Sequence, residues 1–149
     1  VSRSHQTMTP EEYRALTRGG GSPSKYRATR KEYDGITYDS KAEAARAAEL
    51  DVLLRVGEIT LWLRQPRVRL GGGRVPYTPD FFVLAAPSAA WFEDVKGAET
   101  QRFRDIRRLW PGDMPLELRV LKRKRGRFVT EVIAPNKPAP SPLLPETYA

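Results

Sequence analysis

Two apolar runs near the middle of the chain, residues 77–84 and 91–96, read as strands, and Ala85-Ala86-Pro87-Ser88-Ala89-Ala90 between them reads as a turn signalled by Pro-Ser. Upstream, Ser40 with Glu43 three residues later forms a capping-box pattern, and Gly57 stands where a glycine stop belongs, which predicts a helix from about Ser40 to Val56. On that helix Glu43, Ala47, Leu50 and Leu54 fall in one narrow stripe, the expected core-facing side. Tyr33-Asp34-Gly35-Ile36-Thr37-Tyr38 predicts a small hairpin turned at Asp-Gly. Extended segments follow at 58–65 and 67–70, with a turn at Gly71-Gly72-Gly73. Residues 100–110 predict a second helix stopped by Pro111-Gly112, and 117–121 with 128–133 predict a closing hairpin across the basic turn 122–127. The order is helix, strands, helix, strands: an α/β fold with a mixed sheet flanked by helices.

The ends read differently. Thr9-Pro10-Glu11-Glu12 opens a short helix, and the glycine- and serine-rich stretch 18–24 reads as a linker. From Ala134 onward there are five prolines in sixteen residues, the composition of an extended tail. The expected organisation is therefore an N-terminal segment over 1–24, a core over 25–133 and a Pro-rich tail over 134–149.

Chemistry enters through the two central strands. Side chains alternate along a strand, so Asp94 and Lys96 share one face while Glu93 and Val95 take the other. A hairpin centred on Pro87 sets Asp80 directly across from Asp94, with Cβ atoms about 4.5–5.5 Å apart. Two facing carboxylates destabilise a sheet unless a cation lies between them. A divalent-metal site beside a fixed ammonium, in a basic protein, points to phosphodiester hydrolysis. Glu93 becomes an alternative ligand only if a bulge reverses the alternation. Glu43 has two readings: the capping box explains it without chemistry, and its place at the head of the buried stripe aims a carboxylate at the sheet, where a cation is one way to satisfy it.

Charge sharpens the choice of partner. The 149 residues carry a formal net charge of +8. Residues 102–127 hold ten basic side chains against Asp105, Asp113 and Glu117, and a second basic stretch runs from Lys25 through Arg27 and Arg30 to Lys31. Clustering of this kind is the footprint of a polyanion, DNA or RNA, and is favoured here over a merely solvated face of an arginine-rich chain. Arg104, Arg107 and Arg108 are spaced to form a basic ridge on the second helix, and Thr100 at its start can meet a phosphate. Gln65 ends a strand near the expected site, where it either positions water or a sugar–phosphate oxygen or makes a strand-end hydrogen bond. No apolar run reaches the roughly 18–20 residues of a membrane span. The absence of cysteine and of an apolar segment after Val1-Ser2-Arg3-Ser4-His5 gives the expectation of a cytoplasmic protein. A single Asn (Asn136), two Met and no Cys lean towards a thermophilic source.

The set Pro79-Asp80, Asp94-Val95-Lys96 and Glu43 on the preceding helix resembles the PD-(D/E)xK nuclease superfamily. Within it, Tyr33 to Glu43, Gly57-Glu58-Ile59, Gln65-Pro66 and Glu93 to Gly97 resemble phage-encoded endonucleases that resolve Holliday junctions. The resemblance implies a restriction-endonuclease-like core with a mixed sheet of about five strands. It implies Mg²⁺, replaceable by Mn²⁺, held by Asp80, Asp94 and the Val95 carbonyl, with Glu43 completing the set directly or through water. Lys96 orients the attacking water in such sites, and the products carry 5′-phosphate and 3′-hydroxyl ends. Asp94 stands where many members have Glu. A junction resolvase makes two symmetric cuts, which implies a homodimer acting on branched DNA. Ala45, Val52 and Val56 form a second apolar stripe opposite the buried one on the first helix, which is either an interface or a surface covered by the N-terminal or C-terminal tail. A nicking, flap or sequence-specific DNase, and a basic nucleic-acid-binding module with structural acids, are the alternatives.

Overall fold

In the computed structural model, residues 30–85 and 89–138 are described. The chain divides after Leu53 into two compact units. The expected helix at residue 9, the linker over 18–24, Pro87 and the tail beyond Pro138 lie outside the described residues.

The first unit holds a hairpin, β1 (Lys31–Tyr33) and β2 (Ile36–Tyr38), and most of helix α1 (Lys41–Arg55). Asp34 and Gly35 both have positive φ, 49° and 71°, the backbone of the two-residue turn that Asp-Gly favours. The capping box forms: the Glu43 N–H donates to Ser40 Oγ at 3.1 Å, and that hydroxyl donates to Glu43 Oε1 at 3.0 Å. Tyr33 Oη donates to Asp51 Oδ2 at 2.6 Å, tying the hairpin to the helix. Burial first, and then the Asp51 carboxylate, push the Tyr33 hydroxyl well above its usual range. The buried face of α1 is wider than the expected stripe, because Ala44, Ala45, Ala47, Ala48 and Leu50 are all buried. Two expectations are corrected here. Leu54 is 40% exposed where the stripe reaches the last turn, and Ala45, placed on the outer stripe with Val52 and Val56, is buried. Alanine is small enough to be enclosed on several sides of a helix, so its burial does not follow the narrow stripe drawn by the larger side chains.

The second unit is built on a five-stranded sheet in the order β3-β6-β7-β8-β9, from β3 (Leu61–Arg64), β6 (Phe81–Ala85), β7 (Ala89–Val95), β8 (Leu118–Lys124) and β9 (Arg127–Ile133). It is α/β and mixed: β7 and β8 are parallel and every other pair is antiparallel. A parallel pair needs a crossover, and α2 (Gln101–Asp113) supplies it. A small hairpin of β4 (Val68–Leu70) and β5 (Val75–Tyr77) lies between β3 and β6.

Three boundaries differ from the sequence expectation. The run 77–84 is not one strand. Tyr77 ends β5, and the ladder resumes only at Phe81, because Pro79 has no N–H to give it. Helix α2 continues through Pro111 to Asp113, since the missing donor falls in the last turn; the Met114 N–H still reaches the Trp110 carbonyl at 3.0 Å. The closing hairpin turns on two residues only, Arg125 (φ 50°) and Gly126 (φ 78°), so Lys122, Arg123 and Lys124 are strand residues.

One face of the sheet is covered by α2. Phe92, Leu118, Val120 and Ile133 from the strands pack with Phe103, Ile106 and Trp110 from the helix and Leu70 from β4. Trp110 is fully buried, meets Tyr77 and Phe92 edge-on, and donates from Nε1 to the Leu116 carbonyl at 2.9 Å. Full burial of such a ring contributes on the order of 3 kcal/mol. This cluster fixes β7, and with it the carboxylates carried at the end of that strand.

Candidate active site

The β6–β7 register is the one the sequence gives when the hairpin is centred on Pro87. Phe81 faces Glu93, Phe82 faces Phe92, and the pairing continues to Ala85 opposite Ala89. One residue further out, Asp80 comes level with Asp94. There the ladder ends and a side chain takes over: Val95 N–H donates to Asp80 Oδ2 at 2.7 Å. The Asp80 carbonyl accepts from Gln65 N–H at 2.8 Å, and the Lys96 N–H donates to the Leu121 carbonyl at 2.8 Å. Asp80 is thus clamped between β3 and β7 by its backbone and its carboxylate together.

Asp94 shares its face with Phe92, as strand alternation requires, and is 2% exposed. Lys96 Nζ lies 2.9 Å from Asp94 Oδ1 and 4.8 Å from the centroid of the Phe103 ring. Burial pushes the Asp94 carboxyl above its ordinary range, and the charge and hydrogen bond of Lys96 pull it back. The ammonium is held by a carboxylate on one side and an aromatic face on the other, which fixes a flexible side chain in one place.

Glu93 faces the opposite side of the sheet. It is fully buried and accepts from Trp91 Nε1 at 2.9 Å, while the Arg119 guanidinium stacks 3.8 Å from the Trp91 ring centroid. No bulge interrupts the pairing of residues 92–95 with 118–121, so Glu93 stays on the face opposite Asp94.

Gln65 has φ 50°, a left-handed conformation in a residue that directly precedes a proline. Such backbone costs a non-glycine residue about 1 kcal/mol or more, and it persists here because the bond to Asp80 holds it. Gln65 is therefore fastened beside Asp80, with its side chain exposed.

Thr100 is the N-cap of α2, its Oγ1 accepting from the Phe103 N–H at 3.2 Å. The basic ridge on α2 is mostly engaged within the protein. Arg104 donates to Gln101, Arg108 pairs with Asp105, and Arg107 pairs with both Glu99 and Glu131. Lys122 completes this last group, 3.0 Å from Glu99. The hydrogen bond from Lys122 and the charge of Arg107 hold the Glu99 carboxyl below its usual range, and Arg107 does the same for Glu131. Glu99 has no signal of its own in the sequence, and Lys122, expected at the start of a basic turn, is a β8 residue that joins this group. Lys122 reaches this face because β8 is parallel to β7, a pairing made through a crossover that carries no local sequence signal.

Arg30 is exposed, 3.9 Å from Asp39, and Lys31 begins β1 opposite Tyr38. Glu43 lies in the first unit, bonded to Ser40 as described above. Lys25 and Arg27 are outside the described residues.

Among the described residues, no three His, Cys, Asp or Glu side chains are gathered into a metal-binding group. Asp80 and Asp94 are a pair of carboxylates with the Val95 backbone between them. Hard oxygen donors of this kind suit Mg²⁺ or Mn²⁺, and Mg²⁺ is commonly held by one or two carboxylates with water completing the shell. A cation would offset the burial that raises the Asp94 carboxyl, as Lys96 already does in part. The residues present fit such an ion.

The fold and site define a mixed α/β protein with a carboxylate pair and a lysine at the end of its two central strands. Residues 23–113, more than half of the chain, match the family described as protein of unknown function DUF1064, and the chain belongs to that family. No curated protein and no solved structure matches it. No helix among the described residues is long and apolar enough to cross a membrane.

Proposed function

We propose that this chain is a metal-dependent endodeoxyribonuclease that hydrolyses phosphodiester bonds in branched DNA, with four-way junctions as its substrate. The observation that carries the reading is the Asp80 carboxylate fastened to the Val95 N–H beside the buried Asp94–Lys96 pair. The order α1, β3, β6, β7, α2, β8 follows the helix–three strands–helix–strand core that the superfamily resemblance implies, with the β4–β5 hairpin as an insertion.

In this reading Asp80, Asp94 and the Val95 carbonyl would hold Mg²⁺ or Mn²⁺, with water completing the set. When bound, the ion supplies a water of lowered pKa and charge neutralisation at the phosphate. Asp80 and Asp94 contribute the negative charge that makes the site selective for a divalent cation. Lys96 orients the attacking water through its ammonium and stabilises negative charge growing on the phosphate oxygens, a point-charge task that suits lysine. Gln65, fixed beside Asp80, contacts the water or the sugar–phosphate backbone. Two copies of the chain, acting as a homodimer in the host-cell cytoplasm, place one cut on each of two opposing strands.

The test is cleavage of a labelled synthetic four-way junction beside a linear duplex of matched sequence. Paired symmetric cuts in the junction alone support the resolvase reading. Equal cutting of both substrates keeps the nuclease and removes the junction preference, and no cutting in Mg²⁺ or Mn²⁺ contradicts the proposal.

A further inference from the structure

The β8–β9 hairpin carries a pair of facing cations, opposite in sign to the carboxylate pair. In its register Lys124 stands directly across from Arg127, the last pair before the Arg125-Gly126 turn. Like charges facing each other across an antiparallel ladder destabilise it. Nearby acids do not relieve this pair. Among the described residues, no carboxylate forms an ion pair with Arg123, Lys124, Arg125 or Arg127, whereas Arg107 and Lys122 further down are both matched by Glu99 and Glu131. Lys124, Arg125 and Arg127 are exposed. Arg123 lies over the Phe128 ring on the other face, 5.9 Å from its centroid.

The topology decides where these charges point. Strand β8 runs parallel to β7, with Asp94 level with Val120 and Val95 level with Leu121. The basic tip therefore extends from the same end of the sheet as Asp94 and Lys96. Alternation puts Lys122, Lys124 and the paired Arg127 on the face that carries Asp94 and Lys96. The Lys124/Arg127 pair lies about 7 Å beyond the level of Lys96 along the strand direction, at about 3.3 Å per residue. That is about two nucleotide steps of one duplex strand. A two-residue turn with positive φ at both positions makes the tip a short, defined projection.

We propose that the β8–β9 hairpin tip is a DNA-backbone clamp, in which Arg123, Lys124, Arg125 and Arg127 grip phosphates of the duplex arm flanking the bond cut at Asp80 and Asp94. The choice of DNA rests on the proposed function; the binding itself does not require catalysis. Phosphates between Lys124 and Arg127 turn their mutual repulsion into attraction, and the contacts read backbone charge with no base specificity.

The test is fluorescence anisotropy with labelled duplex and four-way junction, using the full chain in EDTA so that nothing is cut. The salt dependence of affinity is measured for wild type, Lys124→Gln/Arg127→Gln, and a fourfold variant adding Arg123→Gln and Arg125→Asn. Asparagine tolerates the positive φ at position 125. The slope of log affinity against log salt should fall by about 2 for the double variant and about 3.6 for the fourfold one, at about 0.9 per phosphate contact. Thermal unfolding of the double variant should be unchanged or raised, since a repulsion is removed, which separates lost binding from lost folding. Wild-type slope and affinity in both variants would overturn the proposal, as would tighter hairpin-dependent binding to duplex RNA. Failure of the wild-type chain to cut in Mg²⁺ or Mn²⁺, with hairpin-dependent binding intact, sinks the nuclease reading and leaves this one standing.

Discussion

The backbone N–H of Val95 donates to Oδ2 of Asp80 at 2.7 Å, so a carboxylate from the approach to β6 is fastened to β7 between Asp94 and Lys96. The bond replaces the next rung of the ladder and aligns the Asp80 side chain. It also separates two roles that mutation can pull apart. The amide of asparagine can still accept from Val95, but it brings no charge.

Asp80→Asn is therefore expected to fold as wild type and to lose Mg²⁺-dependent cleavage by at least about 100-fold, the scale of losing a charged group at a reacting centre. Asp80→Ala loses cleavage too, and also costs about 1.5 kcal/mol through the unpaired Val95 N–H. Chemical denaturation beside a cleavage assay separates the two.

Lys96 is the counter-charge of a buried carboxylate, so its removal should be felt in stability as well as in rate. Breaking a buried pair costs about 3–5 kcal/mol, and because the Lys96 side chain is 26% exposed the expectation for Lys96→Gln is lower, about 2 kcal/mol. Mg²⁺ should restore part of that loss in urea unfolding. A Lys96→Gln protein as stable as wild type in EDTA would show that Asp94 does not depend on this ammonium.

Gln65→Gly tests whether strain is held for function. Glycine adopts φ 50° freely, so the variant should be more stable by about 1 kcal/mol. Loss of the side chain should lower the cleavage rate at the same time. A slower but more stable enzyme is the expected pairing, read by thermal unfolding and single-turnover cleavage.

The Arg107, Lys122, Glu99 and Glu131 group gives a pH dependence of known sign. The carboxyls of Glu99 and Glu131 are lowered in the folded protein, first by hydrogen bonds from Lys122 and Arg107 respectively. Their stabilisation is fully present above the ordinary value of 4.5 and is lost as pH falls through the lowered folded values. Wild type should exceed Glu131→Gln in stability at pH 7, with the gap closing below about pH 4. Glu131 is 49% exposed, so 0.5 M salt, on the order of a 4–5 Å screening length, should narrow the gap as well.

Much of the fold is written in local signals. The capping box at Ser40, the Asp34-Gly35 turn and the Thr100 cap each depend on residues within one turn of one another, and each forms. The β6–β7 register is also local, fixed by a short turn, and so the Asp80/Asp94 relationship could be read before the fold. What the sequence hides is long-range. The parallel pairing of β7 with β8 is made across α2, and only that pairing brings Lys122 and the basic hairpin to the end of the sheet that carries Asp94. The engagement of Arg107 by Glu99 and Glu131 joins α2 to β9 and to the loop before the helix, which helical spacing on α2 alone cannot reveal. The wide burial of the alanines on α1 depends equally on what surrounds the helix.

The central claim is that Asp80 and Asp94 act together in metal-dependent phosphodiester hydrolysis. Its most direct test is end-labelled four-way junction incubated with wild type and with Asp80→Asn, in Mg²⁺ and in EDTA, after both proteins are shown to unfold at the same temperature. Wild type in Mg²⁺ should give paired cuts bearing 5′-phosphates, with none in EDTA and none from the folded variant. Cutting by Asp80→Asn at the wild-type rate, or cutting by wild type that survives EDTA, would contradict the account.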